Sequence, residues 1–123
     1  MSGNIKVLVV DAIEDTRNLT EIILRERGYV VYTAGSRGEA LRVLDEQSLD
    51  LILMDVMLPD MNGFEACREL KIKPATREIP VVMFTVLDRD RDREMAAEVE
   101  ADGYLAKPFE ADELVETIEK HLK

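Results

Sequence analysis

The chain has 123 residues, a formal net charge of −10 and 46% hydrophobic residues, which fits one domain over residues 1–123 and excludes a disordered or fibrous protein. The acidic balance argues against direct nucleic-acid binding. Its apolar runs are too short for a membrane span. One cysteine and one histidine leave no internal disulfide and too few ligands for structural zinc, and the opening MSGNIK lacks a secretory signal, which predicts a cytoplasmic protein.

Short apolar runs along the chain predict strands that are buried on both faces. Segments between them repeat apolar residues at helical spacing. Gly28 is placed to end the first helix, Ser36 and Glu39 form a capping-box pattern for the second, and Pro80 precedes the fourth strand. Strict alternation predicts an α/β protein, with a parallel sheet, right-handed crossovers and helices on both faces. The strand-like runs are VLVV (7–10), VVY (30–32), LILM (51–54), VVMF (81–84) and YLA (104–106).

Polar residues follow four of these runs. Asp11 comes after the first strand, Asp55 after the third, Thr85 after the fourth and Lys107 after the fifth. The ligand crevice of an open parallel sheet lies beyond the carboxyl ends of its strands, so the four side chains are expected to converge.

Two carboxylates, a hydroxyl and an amine together suit phosphoryl transfer. Neighbouring carboxylates repel unless a cation lies between them, and Mg²⁺ prefers such oxygen ligands. Lys107 offers a point charge and Thr85 a donor to a transferred anionic group. A carboxylate would then serve as the covalent nucleophile.

The local sequences resemble the receiver domain of two-component response regulators, of the stand-alone chemotaxis and sporulation type. The matching segments are VLVVDA, LILMDVMLPDMNGFE, IPVVMFTV and ADGYLAKPF, which together cover essentially the whole chain. The resemblance implies a doubly wound, flavodoxin-like (βα)₅ fold with strand order 2-1-3-4-5. It also implies a monomer or weak dimer that is not a metabolic enzyme, catalysing only its own phosphorylation and dephosphorylation.

The resemblance further implies a role for each site residue. Asp55 would accept a phosphoryl group from a sensor histidine kinase or phosphotransfer protein, with Thr85 and Lys107 contacting that group. Mg²⁺ would be held by Asp11, Asp55 and the main-chain carbonyl of Met57. Thr85 and Tyr104 would form the switch, and the face made by the fourth helix, fifth strand and fifth helix would bind a downstream protein. A cis peptide is implied between Lys107 and Pro108.

Ala12 is the main departure from the family pattern, which usually has two adjacent acids after the first strand. Losing one carboxylate should weaken a Mg²⁺ site. Three outcomes are open: a water fills the gap, Glu14 or Asp15 reaches in, or the site no longer works. Because acids favour the first turn of a helix, Glu14 and Asp15 are interpreted as helix-terminal residues.

Val86 is a second departure, and two further apolar residues lie near the expected acceptor. Val86 stands where the family mostly has Ala or Gly, and it either narrows the entrance or is a strand residue that packs outward. Met57 and Leu87 flank the expected path of the attacking water. Their apolar character predicts slow hydrolysis of any phosphorylated form.

Other polar or reactive residues receive structural interpretations. The run LDRDRDREMAAE (87–98) is expected to be a solvated helix face beside the partner-binding surface. Cys67 lies on an apolar stripe and is expected in the core. His121 is expected to be a solvated helix residue.

Two functions therefore compete. The first is a phosphorylatable signalling switch. The alternative, motivated by Ala12 and Val86, is a pseudo-receiver that binds partners but has weakened or lost its metal binding and phosphorylation. Nucleotide or flavin binding is poorly supported without a glycine-rich loop after the first strand, and DAIEDT lacks the Asp-x-Asp signature of haloacid-dehalogenase-like phosphatases.

Overall fold

A computed structural model of the chain describes residues 4–86 and 90–122. Strands and helices alternate along these ranges as the apolar pattern predicts. In chain order they are β1 (Lys6–Val10), α1 (Glu14–Glu26), β2 (Val30–Ala34), α2 (Arg37–Glu46), β3 (Leu51–Asp55), α3 (Gly63–Ile72), β4 (Val81–Thr85), α4 (Asp90–Glu98), β5 (Gly103–Ala106) and α5 (Ala111–His121).

The strands form one sheet in the order β2-β1-β3-β4-β5, and every neighbouring pair is parallel. The fold class and strand order expected from the sequence are thereby confirmed. The order reverses between β1 and β3, so the carboxyl edge of those two strands forms the crevice where such sheets bind ligands.

Alternate residues of each strand supply two separate cores, because successive side chains point to opposite faces of a sheet. Leu8 and Val10 pack with residues of α2, α3 and α4 on one face. Val7 and Val9 pack with residues of α1 and α5 on the other. All five residues of β3 are buried, which explains its continuous apolar run.

The helix boundaries follow the local signals only in part. Gly28 has a φ of 91° just beyond α1, a left-handed conformation that favours glycine. Ser36 caps α2 by accepting a hydrogen bond from the Glu39 amide. The expected capping box is incomplete, since the Glu39 carboxylate accepts from the amide of Gly35.

Lys71 links α3 to the amino-terminal edge of the sheet through hydrogen bonds and an ion pair. Its side chain is 8% exposed, and its Nζ donates to the carbonyl of Ile79 at 2.8 Å and to Asp102 at 2.6 Å. Asp102 also accepts from the amide of Val81, the first residue of β4. This ion pair therefore joins α3 to the starts of β4 and β5.

Within residues 4–86 and 90–122, no helix is long and apolar enough to cross a membrane.

Candidate functional site

The four polar residues expected at the strand ends occupy the carboxyl edge of the sheet. Asp55 and Thr85 are the last residues of β3 and β4, and Asp11 and Lys107 directly follow β1 and β5. Asp11, Asp55 and Thr85 are all buried. The Thr85 carbonyl accepts a hydrogen bond from the Lys107 amide at 2.8 Å, so β4 fixes where Lys107 begins.

Lys107 joins the two carboxylates. Its Nζ lies 2.9 Å from Asp11 Oδ2 and 3.0 Å from Asp55 Oδ2, and its side chain is only 9% exposed. The ammonium also lies 4.3 Å from the centre of the Phe84 ring, an attractive cation–π distance. A single nitrogen thus holds groups from β1, β3 and β5 at one point, and the peptide bond from Lys107 to Pro108 is cis, as expected.

Asp55 is held from two sides. Its Oδ1 accepts a hydrogen bond from the Met57 amide at 3.3 Å, while Oδ2 faces Lys107. Burial raises the pKa of Asp55 above its ordinary value, and the ammonium of Lys107 opposes that shift. The carboxylate is therefore poorly hydrated, and Lys107 is its principal source of stabilising charge.

Asp11 is fully buried, and each of its polar groups has a partner. Its Oδ1 accepts from the Ile13 amide at 2.9 Å, and its main-chain carbonyl accepts from Arg17 Nη1 at 2.8 Å. Its own amide donates to the Ala34 carbonyl of β2. Neither the Ile13 nor the Arg17 contact was predicted from the sequence.

The loop after β3 is fixed by three hydrogen bonds and one close backbone approach that the sequence did not reveal. Asp60 accepts hydrogen bonds from the amides of Arg37 and Gly38, at 2.9 and 3.0 Å, and so caps α2 from a distant segment. These bonds lower the pKa of Asp60. Asn62 caps α3 through the Phe64 amide. Gly63 lies so close to the Asp55 carbonyl that a Cβ there would overlap it.

Ala12 contributes no carboxylate to the site, which therefore has few acidic side chains. Glu14 and Asp15 lie in the first turn of α1 and are exposed, in keeping with the helix-terminal interpretation. Throughout the described part of the chain, no three acidic, histidine or cysteine side chains are grouped to hold a metal ion. The oxygen ligands available at this edge are the carboxylates of Asp11 and Asp55 and nearby main-chain carbonyls.

Apolar side chains are exposed around these acids. Met57 is 59% exposed, Ile13 59% and Val86 64%. Val86 directly follows β4 and faces outward, in keeping with the interpretation of an outward-packing residue. Leu87, the other residue expected beside the path of the attacking water, lies outside the described ranges.

The expected switch residue Tyr104 lies on β5, half-buried against the α2–α4 core. The guanidinium carbon of Arg93, on α4, is 4.6 Å from the centre of its ring. Most described residues of the charged 87–98 run are exposed as expected, but Asp92 is buried at 4% exposure. The run is therefore not a uniformly solvated face.

The two remaining residues differ in outcome. Cys67 is buried, and burial raises the pKa of its thiol to about 11, so it is a core residue as predicted. His121 is half-buried, and its ring packs against Gly103 at the start of β5. His121 lies in α5 as expected, but it is less solvated than the sequence predicts.

The fold and the site define an open α/β protein with two buried carboxylates and a lysine at the carboxyl edge of its sheet. Comparison with known families places it further. The response regulator receiver domain model matches residues 7–119, and the chain belongs to this family, which operates in two-component signalling.

Solved structures agree with this assignment. Vibrio cholerae chemotaxis protein CheY4 is 31% identical, with 97% of this chain and 99% of that one covered and a TM-score of 0.92. The receiver domain of a Syntrophus aciditrophicus signal transduction histidine kinase is 33% identical, with coverage of 95% and 89% and a TM-score of 0.87. The receiver domain of sensor histidine kinase PA1611 from Pseudomonas aeruginosa is 30% identical, with coverage of 96% and 97% and a TM-score of 0.87, and its structure holds a magnesium ion in the active-site cleft.

Proposed function

We propose that the protein is a phosphorylatable switch in which Asp55 accepts a phosphoryl group from a sensor histidine kinase or a phosphotransfer protein. The observation that carries the proposal is the Lys107 ammonium held between Asp55 and Asp11 at about hydrogen-bond distance, 3.0 and 2.9 Å. A buried carboxylate facing a fixed cation is suited to form an acyl phosphate, because the cation stabilises negative charge on the transferred group.

The transfer balances as follows. An Asp55 carboxylate oxygen attacks phosphorus, the phosphorus–nitrogen bond of the donor phosphohistidine breaks, and the imidazole nitrogen leaves with the bonding electrons. Lys107 changes partners from the free carboxylate to the phosphoryl oxygens. Thr85, at the end of β4, is the proposed hydroxyl donor to the same group.

The residues at this edge fit a magnesium ion. Asp11 and Asp55 both contact one nitrogen, so they are close enough for a single cation to interact with both, and Mg²⁺ needs only one or two protein carboxylates beside its waters. Asp11, Asp55 and the Met57 carbonyl are the proposed ligands. When bound, the ion supplies positive charge for the phosphoryl oxygens. We propose reduced affinity because Ala12 contributes no oxygen.

The output would be a population shift involving Thr85 and Tyr104. It would be transmitted to a downstream protein through α4, β5 and α5. The apolar character of Met57 and Leu87 would slow hydrolysis by limiting the hydrogen bonds available to an attacking water. We further propose that residues 1–123 act as a single cytoplasmic receiver, a monomer or weak dimer without direct nucleic-acid binding.

The test is incubation with Mg²⁺ and acetyl phosphate, followed by intact-mass measurement. We expect the mass of one phosphoryl group on the wild-type protein and none on Asp55→Asn. Lys107→Met should retain the fold but lose most of the adduct. Equal adducts on the wild-type protein and Asp55→Asn, or none on either, would contradict the proposal.

The second candidate is a pseudo-receiver that has lost useful metal binding, and Ala12 is the observation that favours it. A Mg²⁺ titration of the wild-type protein and Ala12→Asp separates the two functions. Saturation of the wild-type protein at low millimolar Mg²⁺ supports the switch. Saturation of Ala12→Asp alone supports the pseudo-receiver.

A further inference from the structure

Arg17 reaches from α1 to the backbone of the site. Its Nη1 donates to the main-chain carbonyl of Asp11 at 2.8 Å. We infer that Arg17 is a positioning residue for Asp11, holding the main chain so that the carboxylate faces Lys107 and Asp55. The inference rests on the proposed function, because it gives Arg17 importance through a ligand of the proposed magnesium site.

The contacts of Asp11 show why its backbone orientation matters. Oδ1 is held by the Ile13 amide and Oδ2 by Lys107, while the carbonyl is held by Arg17. A rotation of the main chain at residue 11 would change the direction of both carboxylate oxygens. Since Ala12 offers no second carboxylate, Asp11 is the only acid immediately after β1 that can contribute at this edge.

Gly35 provides the space through which Arg17 reaches Asp11. A Cβ at residue 35 would lie 2.9 Å from Arg17 Nη1 and 3.7 Å from its guanidinium carbon. The Gly35 amide donates to the Glu39 carboxylate at 2.9 Å, which anchors this turn to α2. The flexible guanidinium, rather than the anchored backbone, is therefore the group that an alanine would displace.

Substitutions at residue 17 and at residue 35 should consequently both weaken the hydrogen bond from Arg17 to the Asp11 carbonyl. Arg17→Met removes the donor but keeps much of the apolar stem, and Gly35→Ala leaves the donor but pushes it away. Arg17→Lys retains a donor on the same helix. The matched controls are Arg42→Met, which removes an exposed arginine from α2, and Gly38→Ala, where the nearest atom to a new Cβ is 3.6 Å away.

The readout is amide hydrogen exchange of Ile13, measured by NMR in metal-free buffer, together with Mg²⁺ titration. Ile13 reports directly on Asp11 because its amide donates to Asp11 Oδ1. We expect Arg17→Met and Gly35→Ala each to accelerate Ile13 exchange about tenfold, the scale of one weakened hydrogen bond to a charged acceptor. The Mg²⁺ dissociation constant should rise about tenfold as well, as for other partners that orient metal ligands.

The double variant tests whether Gly35→Ala acts through Arg17. Gly35→Ala added to Arg17→Met should cause no further change, Arg17→Lys should restore slow Ile13 exchange, and both controls should match the wild-type protein. Unchanged Ile13 exchange in Arg17→Met overturns the inference. So does equal acceleration throughout α1, or a Gly35→Ala effect that persists without Arg17. Failure of the wild-type protein to bind Mg²⁺ or accept phosphate would refute the proposed function, whereas Ile13 exchange tests Arg17 in either case.

Discussion

Replacing Gly63 with alanine should damage both the fold and the phosphorylation site. A Cβ at residue 63 would lie 2.8 Å from the carbonyl carbon of Asp55 and from Cα of Val56, with the Asp55 carbonyl oxygen closer still. These are backbone atoms of a buried strand end, so no side chain can rotate away. Restoring ordinary contact with that oxygen requires a separation of about 1.5 Å between the start of α3 and the end of β3.

The expected cost follows from that displacement. Overpacking a well-packed site costs roughly 1–3 kcal/mol and occasionally more, and a backbone collision belongs at the upper end, so the free energy of unfolding should fall by about 3 kcal/mol. Because Asp55 belongs to the displaced strand end, its phosphorylation by acetyl phosphate should slow at least about 100-fold, since a misplacement of about 1 Å already has that effect.

Urea unfolding and intact-mass kinetics measure the two effects. Gly38→Ala is the matched control, since it also places alanine in the first turn of a helix but meets only ordinary contacts. It should stabilise the protein by about 0.5–1 kcal/mol through reduced backbone entropy of the unfolded chain. A Gly63→Ala protein with the same urea midpoint as Gly38→Ala would refute the reasoning.

Three further substitutions test the charged groups. Burial raises the folded pKa of Asp55, so its contribution to stability is full below the unfolded value of about 3.8 and is lost as pH rises through the folded pKa. Asp55→Asn should therefore gain stability relative to the wild-type protein as pH rises from about 4 to 7 in metal-free buffer, and a pH-independent difference in urea midpoint would contradict this. Asp60 has a lowered pKa, so its contribution is present above about pH 4 and is lost as pH falls through the folded pKa. Asp60→Asn should consequently be less stable than the wild-type protein at pH 7 and approach it in acid, whereas a constant deficit would show that the charge is not responsible. Lys71→Met removes the donor to Ile79 and Asp102 and should lower the free energy of unfolding by about 2 kcal/mol. Lys73→Met is the control, because the Lys73 side chain is 50% exposed, and it should change the free energy of unfolding by less than about 0.5 kcal/mol. Equal losses of stability in the two variants would show that Lys71 has no special structural role.

The fold could be predicted because its signal is local and repeated. Each strand is a short apolar run, and a parallel sheet brings all carboxyl ends to one edge. Asp11, Asp55 and Lys107 therefore share a site although the chain separates them widely. The strand order came from family resemblance, since alternation alone allows several orders.

The remaining contacts depend on distances that no local pattern encodes. The sequence around Asp60 indicates an ordinary turn residue, yet its carboxylate caps a helix formed by an earlier segment. The close approach of Gly63 to Asp55 is visible only when α3 and β3 are placed together. His121 was taken for a solvated helix residue because it lies near the end of the chain, while its ring lies against Gly103 on another element.

The cap on α2 also constrains the order in which structure forms during synthesis. The helix begins at Arg37, but the carboxylate that accepts from its first amides belongs to Asp60, more than 20 residues later. While a nascent chain still lacks residue 60, those amides have only water as acceptor, since the Ser36 side chain accepts from the Glu39 amide. The first half of the domain therefore emerges from the ribosome with an incompletely capped helix, which gains its full stability only after β3 and the following loop have been translated.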